Sequence, residues 1–321
     1  MAQRILEPGE IETLAQRSIP RIRLPARATV FARRARRLRD LGTSTNTGIG
    51  DYLRFLAVLV DAQHSALADL SVSIPTPAHL KASAEHGMPP IQPAAWPRTD
   101  AWYETLKRIS DALAAHAEFP SGVNETVSRL RRAPREWIES QADALLQYED
   151  QAIDAAAAPL VMSALQVHWA ALAASLSAEA IRALDVPGLC PLCGSQPVAS
   201  VVYAQSPYQG YRYLHCALCA TEWHMVRVQC SHCGASGKSI AFQSAMPGTQ
   251  QENDGSAAEA AVRAETCEQC RCYRKILYQE KDPQVEPVAD DLASLNLDLL
   301  LGQSGYHRAS GNPLLWQPNG H

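Results

Sequence analysis

Apolar side chains recur at helical spacing through the first 184 residues of the chain. The stretch GDYLRFLAVLVDAQHSALADL, residues 50–70, carries one apolar stripe made of Tyr52, Leu56, Leu59, Leu67 and Leu70. Comparable helical patterns occupy residues 26–42, 99–116, 124–146 and 155–184. Prolines concentrate between Val72 and Pro97, which predicts an irregular connector outside the core. We therefore predict an all-helical N-terminal domain over residues 1–184.

The pattern changes to short alternating segments from residue 185 onward. They are VASVVYA, YRYLH, TEWHMVRV, KSIAFQSA and KILYQ, and each is flanked by a cysteine pair or a turn. A period of two predicts strands. After Pro287 the segment VADDLASLNLDLLLG returns to a helical pattern, with a predicted apolar face made of Leu292, Leu295, Leu299 and Leu300. We predict two small β modules, over residues 185–228 and 229–284, and a C-terminal helix and tail over 285–321 that pack back on the body.

All nine cysteines lie between Cys190 and Cys272, and eight of them form four Cys-x-x-Cys pairs. The N-terminus has no signal-peptide pattern, so we expect a cytoplasmic protein whose thiols stay reduced. In that compartment such pairs are better explained by metal binding than by disulfides. Two Cys-x-x-Cys turns that face each other form a tetrahedral four-thiolate site, which suits zinc or a single iron ion of the rubredoxin type.

The length of chain between the pairs indicates which pairs can meet. Ten residues with strand-like alternation separate Cys219 from Cys230, and ten extended residues span about 33 Å, so these two pairs need not face each other. The other neighbouring pairs are separated by 22 and 33 residues, with predicted strands that could fold back as hairpins. We therefore predict site one from Cys190, Cys193, Cys216 and Cys219, and site two from Cys230, Cys233, Cys267 and Cys270.

This pairing predicts a tandem repeat of rubredoxin-like, zinc-ribbon-like metal modules. Modules of about 40 residues have too little core to fold alone, so the metals are expected to be at least structural. Cys272 is left over and could substitute for Cys270 as a ligand, but an unused thiol is the favoured prediction. His215, His224 and His232 lie near the pairs, and we expect them to contact ligands or solvent without replacing a thiolate.

Charge argues against several classes of function. The net charge is −4, and residues 190–283 hold eight Lys or Arg against eight Asp or Glu, so the modules carry no electrostatic footprint for nucleic acid. The first 40 residues hold ten arginines against four acids and are predicted to form a basic patch. The arginine pairs within it precede no apolar signal segment and are predicted to lie on a helix face. The uncharged stretch Ala155–Ala178 is long enough to span a bilayer, but its polar breaks favour a buried core helix over membrane insertion.

The chain contains no motif that indicates catalysis. It has no phosphate-binding glycine loop and no HExxH sequence. Glu222 and His224 share a strand face, but they are predicted to be surface polar residues. Thioredoxin-like exchange would require a Cys-x-x-Cys at the start of a helix, and four copies would be unusual. We therefore predict no catalytic residues and no enzymatic activity.

The segment LHCALCATEWHMVRVQCSHCG, followed by ETCEQCRCYRKI and then DDLASLNLDLLLGQSGYHRASGNPLLW, resembles the FdhE-type formate dehydrogenase accessory proteins. The resemblance extends to RILEPGEIE and LPARATVFARRARRLRDL, so it covers essentially the whole chain. It implies a cytoplasmic bacterial protein that is required for active formate dehydrogenase and is not itself an enzyme. It further implies contact with the catalytic subunit before twin-arginine export, ligand roles for the eight paired cysteines, and iron in rubredoxin-like sites.

Three functions remain open at this point. A maturation factor that binds the catalytic subunit is favoured, because a four-thiolate site has no open position for hydrolytic chemistry. The alternative is a rubredoxin-like iron redox protein that acts on the same subunit. A zinc-ribbon regulator that binds nucleic acid is disfavoured by the neutral modules. Zinc and iron both accept four thiolates, so the sequence does not exclude zinc.

Overall fold

A computed structural model describes residues 19–44, 48–116, 119–244 and 260–315. The described part before the first cysteine is helical except for a two-residue strand at Ile22–Arg23, and the rest is rich in strands. The helical-plus-sheet class is confirmed, but the prediction that residues 1–184 are all-helical was wrong at this strand, which pairs with residues beyond the cysteines. The opening stretch RILEPGEIE lies outside the described residues. The helices before Cys190 are α1 (Val30–Ser44), α2 (Gly48–Ala68), α3 (Pro77–Glu85), α4 (Asp100–Ala114), α5 (Ser121–Arg132), α6 (Arg135–Gln147) and α7 (Ala158–Ala174).

Helix α7 is the centre of the helical part, and it packs against α2, α4 and α6. Nearly all its side chains are buried, as expected for a helix that is apolar on every side. Hydrogen bonds also join it to α2, where Gln63 Nε2 donates to the Ser163 carbonyl at 2.8 Å and to Gln166 Oε1 at 3.1 Å. The stretch is therefore the core helix that was predicted, although it ends at Ala174 and not near residue 184. Within the described residues, no helix has the length and apolarity needed to cross a membrane.

The connector between residues 72 and 97 is more ordered than predicted. Helix α3 lies inside it, with the Thr76 hydroxyl accepting from the His79 amide and Pro77 in the first turn. A proline there costs nothing, because the amide it lacks would have no partner inside the helix. Ile91 is fully buried, and Trp169 Nε1 of α7 donates to its carbonyl at 2.9 Å. The prediction that this segment lies outside the core was wrong.

Two other helical patterns are broken in the structure. Residues 124–146 form two helices because Pro134 starts a new one after Ala133 takes an extended conformation. The C-terminal pattern breaks at Ser294 into α8 (Pro287–Ala293) and α9 (Leu295–Gln303). This break changes which face of α9 meets the body, so Leu297 and Leu301 are buried. The predicted apolar face was wrong there, since Leu299 and Leu300 are exposed.

The strands form one sheet across both cysteine modules. They are β1 (Ile22–Arg23), β2 (Pro197–Val202), β3 (Arg212–Cys216), β4 (Glu222–Met225), β5 (Ile240–Gln243), β6 (Val262–Cys267), β7 (Cys272–Tyr278) and β8 (His307–Arg308). Their order is β1-β4-β3-β2-β7-β6-β5, with β8 beside β7. The antiparallel units β2-β3-β4 and β5-β6-β7 repeat one arrangement, and the parallel pair β2/β7 joins them.

Arginines of the basic N-terminal segment are paired with acids from the far end of the chain. In α1, Arg34 Nε donates to Glu286 Oε1 at 2.9 Å, and both side chains are buried. Arg37 Nε donates to Asp290 Oδ2 at 2.9 Å. These contacts attach α8 to α1 and neutralise two arginines of the expected basic patch. The helix-face prediction for these arginines is confirmed.

His168 on α7 gives a testable pH dependence. Its two ring nitrogens have no hydrogen-bond partner within the described residues, and burial, assisted by Arg98, lowers its pKa from 6.5 to about 4. The unfolded chain therefore binds a proton that the folded chain does not between pH 6.5 and 4, and stability falls as the pH falls through this window. The largest loss expected from this group is about 3 kcal/mol.

His168→Leu should remove this contribution. We expect urea unfolding to show the variant gaining stability relative to wild type as the pH falls from 8 to 4.5. The comparison at pH 8 is the control, because the imidazole is then neutral in both states. Parallel curves of unfolding free energy against pH would contradict the assignment.

Candidate metal centres

Each Cys-x-x-Cys pair is followed by a residue in the left-handed backbone conformation. These residues are Gly194, Ala220, Gly234 and Arg271, with φ of 75°, 58°, 79° and 56°. The amide of Gly194 donates to the Cys190 carbonyl at 2.8 Å, and that of Gly234 donates to the Cys230 carbonyl at 3.0 Å. The chain thus closes a tight turn that points both sulfurs of a pair to one side. Glycine adopts this conformation at no steric cost, which explains its place after the first pair of each module.

The first set contains Cys190, Cys193, Cys216 and Cys219, whose sulfur atoms all lie within 4.8 Å of one another. Cys190 Sγ lies 3.5 Å from Cys219 Sγ, and Cys193 Sγ lies 3.4 Å from Cys216 Sγ. The backbone amides of Leu218 and Cys219 each donate to Cys216 Sγ at 3.4 Å. Such amides stabilise negative charge on the sulfur, as a metal-bound thiolate requires.

The second set contains Cys230, Cys233, Cys267 and Cys270, again with all sulfur atoms within 4.8 Å of one another. Cys230 Sγ lies 3.8 Å from Cys270 Sγ, and Cys233 Sγ lies 3.7 Å from Cys267 Sγ. The His232 amide donates to Cys230 Sγ at 3.4 Å. The two sets therefore place their cysteines at equivalent points of two similar three-stranded units.

Both sets have the dimensions of a tetrahedral metal site. Four sulfurs bound at about 2.3 Å to one ion lie about 3.8 Å apart, close to the separations found here. Burial raises the pKa of the Cys190 and Cys216 thiols, so a metal that binds them must displace protons. Four sulfur ligands suit zinc and single iron ions alike. The structure thus brings together the two sets that the sequence assigned, and metal binding by each set stays a prediction.

The helical part holds the first set in place. Gln166 Nε2 of α7 donates to the carbonyl of Ala217, between Cys216 and Cys219, at 2.7 Å. The Ile91 amide donates to the carbonyl of Leu192, between Cys190 and Cys193, at 3.0 Å. Both turns of the first set are therefore attached to the helical core.

A buried polar network beside the first set was missed in the sequence. Glu222 of β4 accepts from Arg23 Nη1 at 2.6 Å and from the Tyr203 hydroxyl at 2.6 Å. Its carboxylate also lies 3.3 Å from His215 Nδ1, and His215 Nε2 lies 3.4 Å from Arg34. The prediction that Glu222 is a surface residue was wrong. No local spacing could reveal this network, because its members come from residues separated by up to 199 positions.

The remaining residues near the sets are not part of either sulfur group. His224 packs edge-on against the rings of Tyr211 and Tyr213, and the His232 side chain is exposed. Cys272 begins β7 and is half-buried. Its sulfur lies outside both four-cysteine groups, and its having no role stays a prediction.

Comparison with known proteins gives matches to one family along almost the whole chain. Residues 19–185 match the family domain described as FdhE, N-terminal, residues 189–227 the FdhE central domain, and residues 228–315 the FdhE C-terminal domain. The chain is 38% identical over 324 residues to the Protein FdhE homolog of Cronobacter sakazakii and to Protein FdhE of Salmonella choleraesuis, with 100% of each chain covered.

A solved structure supports the same relationship. The crystal structure of the FdhE protein from Pseudomonas aeruginosa matches with a TM-score of 0.80 and 38% sequence identity, over 92% of this chain and 99% of that chain. This chain therefore belongs to the FdhE family of formate dehydrogenase accessory proteins.

Proposed function

We propose that the protein is a maturation factor that binds the catalytic subunit of formate dehydrogenase in the cytoplasm, before that subunit is exported by the twin-arginine route. The observation that carries the proposal is the construction of the sheet. Two four-cysteine sets lie at equivalent turns of one sheet, and the first set is attached to the helical core through Gln166 and Ile91. Such a frame offers a rigid surface for another protein.

In this proposal the metals brace the surface and perform no chemistry. Each centre is rubredoxin-like, with one ion held by four thiolates and no position left for water or substrate. We favour iron because of the family resemblance, and zinc would serve the same structural role. The strands of the sheet are two to seven residues long, and modules this small rely on a metal in place of a larger core.

Co-purification tests the binding. The tagged protein and the catalytic subunit of formate dehydrogenase are co-expressed and isolated without air, and we expect the two to co-purify. Cys216→Ser combined with Cys219→Ser should abolish the association, because it removes half of the first set. Cys272→Ser is the matched control and should retain it.

Circular dichroism separates lost binding from lost folding in the double variant. A double variant that is folded, lacks one metal and still binds the subunit would contradict the bracing role. A wild-type protein that does not bind the subunit would contradict the proposal itself.

A second candidate is a rubredoxin-like redox protein that acts on the same subunit. The partial exposure of the second set supports it, because electron exchange needs a short path to the surface. A reversible iron spectrum, with reduction by a physiological donor, would favour this function. A colourless protein that contains only zinc and fully supports formate dehydrogenase activity would exclude it.

A further inference from the structure

The two cysteine sets differ in their exposure to solvent. All four cysteines of the first set are at most 1% exposed. In the second set Cys267 is 1% and Cys230 is 6% exposed, whereas Cys270 is half-buried and Cys233 is exposed. The two centres therefore have the same type of ligand but differ strongly in how easily solvent reaches it.

The surroundings of the two sets explain the difference. Cys190, Cys193, Cys216 and Cys219 belong to the main hydrophobic core, together with the buried residues of α7. No cysteine of the second set belongs to a hydrophobic cluster formed by the described residues. The turn that carries Cys230 and Cys233 precedes β5, which is the last strand in the sheet order, and Phe242 on that strand is 37% exposed.

Exposure controls how fast a metal site exchanges its ion or its ligands. A chelator or an incoming thiol must reach the ion or a ligand sulfur, and in a buried site it can do so only after local unfolding. The first set opens only if its turns separate from α7 and from the Ile91 segment. The second set already presents Cys233 to solvent. Its ligand can leave without disturbing the core.

We infer that the second set is the exchangeable centre of the protein, with Cys233 as the first ligand displaced, and that the first set is a closed structural centre. The ligands that substitute at the second set are soft donors of the thiol class. With a metal bound, the incoming thiol would give its proton to the departing Cys233 sulfur, so the number of thiolate ligands and the oxidation states would stay unchanged. This inference rests on the metal binding proposed above but not on binding of formate dehydrogenase.

The test uses the full chain loaded with zinc and kept without air. A pulse of N-ethylmaleimide followed by peptide mass mapping reports which sulfurs react, and zinc release to excess EDTA is followed in parallel. We expect Cys233 to react at least about tenfold faster than any cysteine of the first set, since only the closed set must open locally first. One of two zinc ions per chain should leave in a separate fast phase.

Two variants assign the fast phase. Cys233→Ser should retain the slow phase of zinc release and lose or further accelerate the fast one, while Cys272→Ser should leave both phases unchanged. Zinc release in one phase, or cysteines of the first set that react as fast as Cys233, would overturn the inference. Because these readouts need no partner, a result against exchange is distinguishable from a failure to bind formate dehydrogenase.

Discussion

Replacing Cys219 by serine is expected to unfold the centre of the molecule, whereas replacing Cys233 by serine is expected to leave it folded. Cys219 is fully buried, and its sulfur lies 3.5 Å from the sulfurs of Cys190 and Cys193 and 3.2 Å from the Thr221 hydroxyl. Losing a structural metal in this core should lower the free energy of unfolding by more than about 5 kcal/mol, comparable to the whole stability of a domain.

The loss at Cys233 should be smaller because the side chain is exposed and packs against little of the core. We expect no more than about 2 kcal/mol, measured by urea unfolding of the metal-loaded chains together with their metal content. Cys272→Ser, which removes a sulfur outside both sets, should change stability by less than about 0.5 kcal/mol. Equal losses at Cys219 and Cys233 would contradict the division into a closed and an open centre.

The cysteine sets could be anticipated from the sequence because their signal is local. Each pair is a four-residue motif. The lengths of chain between the pairs left several pairings possible but favoured those that a hairpin can bring together. The structure brings together the same two sets, with hairpins β2-β3 and β5-β6 returning one pair to the next. The strand through Trp223 is shorter than its alternating pattern suggested, because the pairing of β4 ends at Met225 and Val226 is 54% exposed.

Contacts between distant segments were beyond reach of the sequence. The parallel pairing of β2 with β7 merges the two modules into one sheet, and no turn or spacing signals it. Likewise, the arginines of α1 suggested a basic surface because their acidic partners, Glu286 and Asp290, lie about 250 residues away in the chain. Periodicity describes one element at a time, so it cannot show which charges a second element neutralises.

The helical errors have local causes that compete with periodicity. Pro77 belongs to the proline-rich pattern that predicts an irregular segment, although a proline in the first turn starts a helix well. The predicted face of the C-terminal helix assumed one continuous axis. Ser294 lies between α8 and α9. Its hydroxyl donates to the Asp290 carbonyl of α8 at 2.7 Å and does not cap α9. A break of this kind changes the buried side by a rotation that a hydrophobic pattern does not encode.

Lys275→Met is expected to cost about 3–5 kcal/mol of unfolding free energy, because it removes one of the two cations, Lys275 and Arg308, that pair with Asp291 and Asp298. Lys275 on β7 is 1% exposed, and its Nζ donates to the carbonyls of Asp291 and Ser294 at 2.7 and 3.0 Å and to Asp298 Oδ2 at 2.5 Å. Its ion pairs thus join β7 to both α8 and α9. The variant keeps the volume of the side chain and removes only its charge and hydrogen bonds.

Arg39→Met is the matched control, because Arg39 and Asp61 form an exposed pair with half of each side chain accessible, at 51%. An exposed pair of this kind is worth less than about 1 kcal/mol, and urea unfolding should separate the two variants clearly.

Lys275→Met should also speed zinc release from the second set. Strand β8 lies beside the start of β7, close to the second set, with His307 paired to Cys272. Arg308 of β8 and Lys275 of β7 pair with the same two acids, Asp291 and Asp298. Loss of Lys275 is therefore expected to loosen β8 next to the second set. If Lys275→Met costs no more than Arg39→Met, this ion cluster does not hold the C-terminal helices and β8 against the second module.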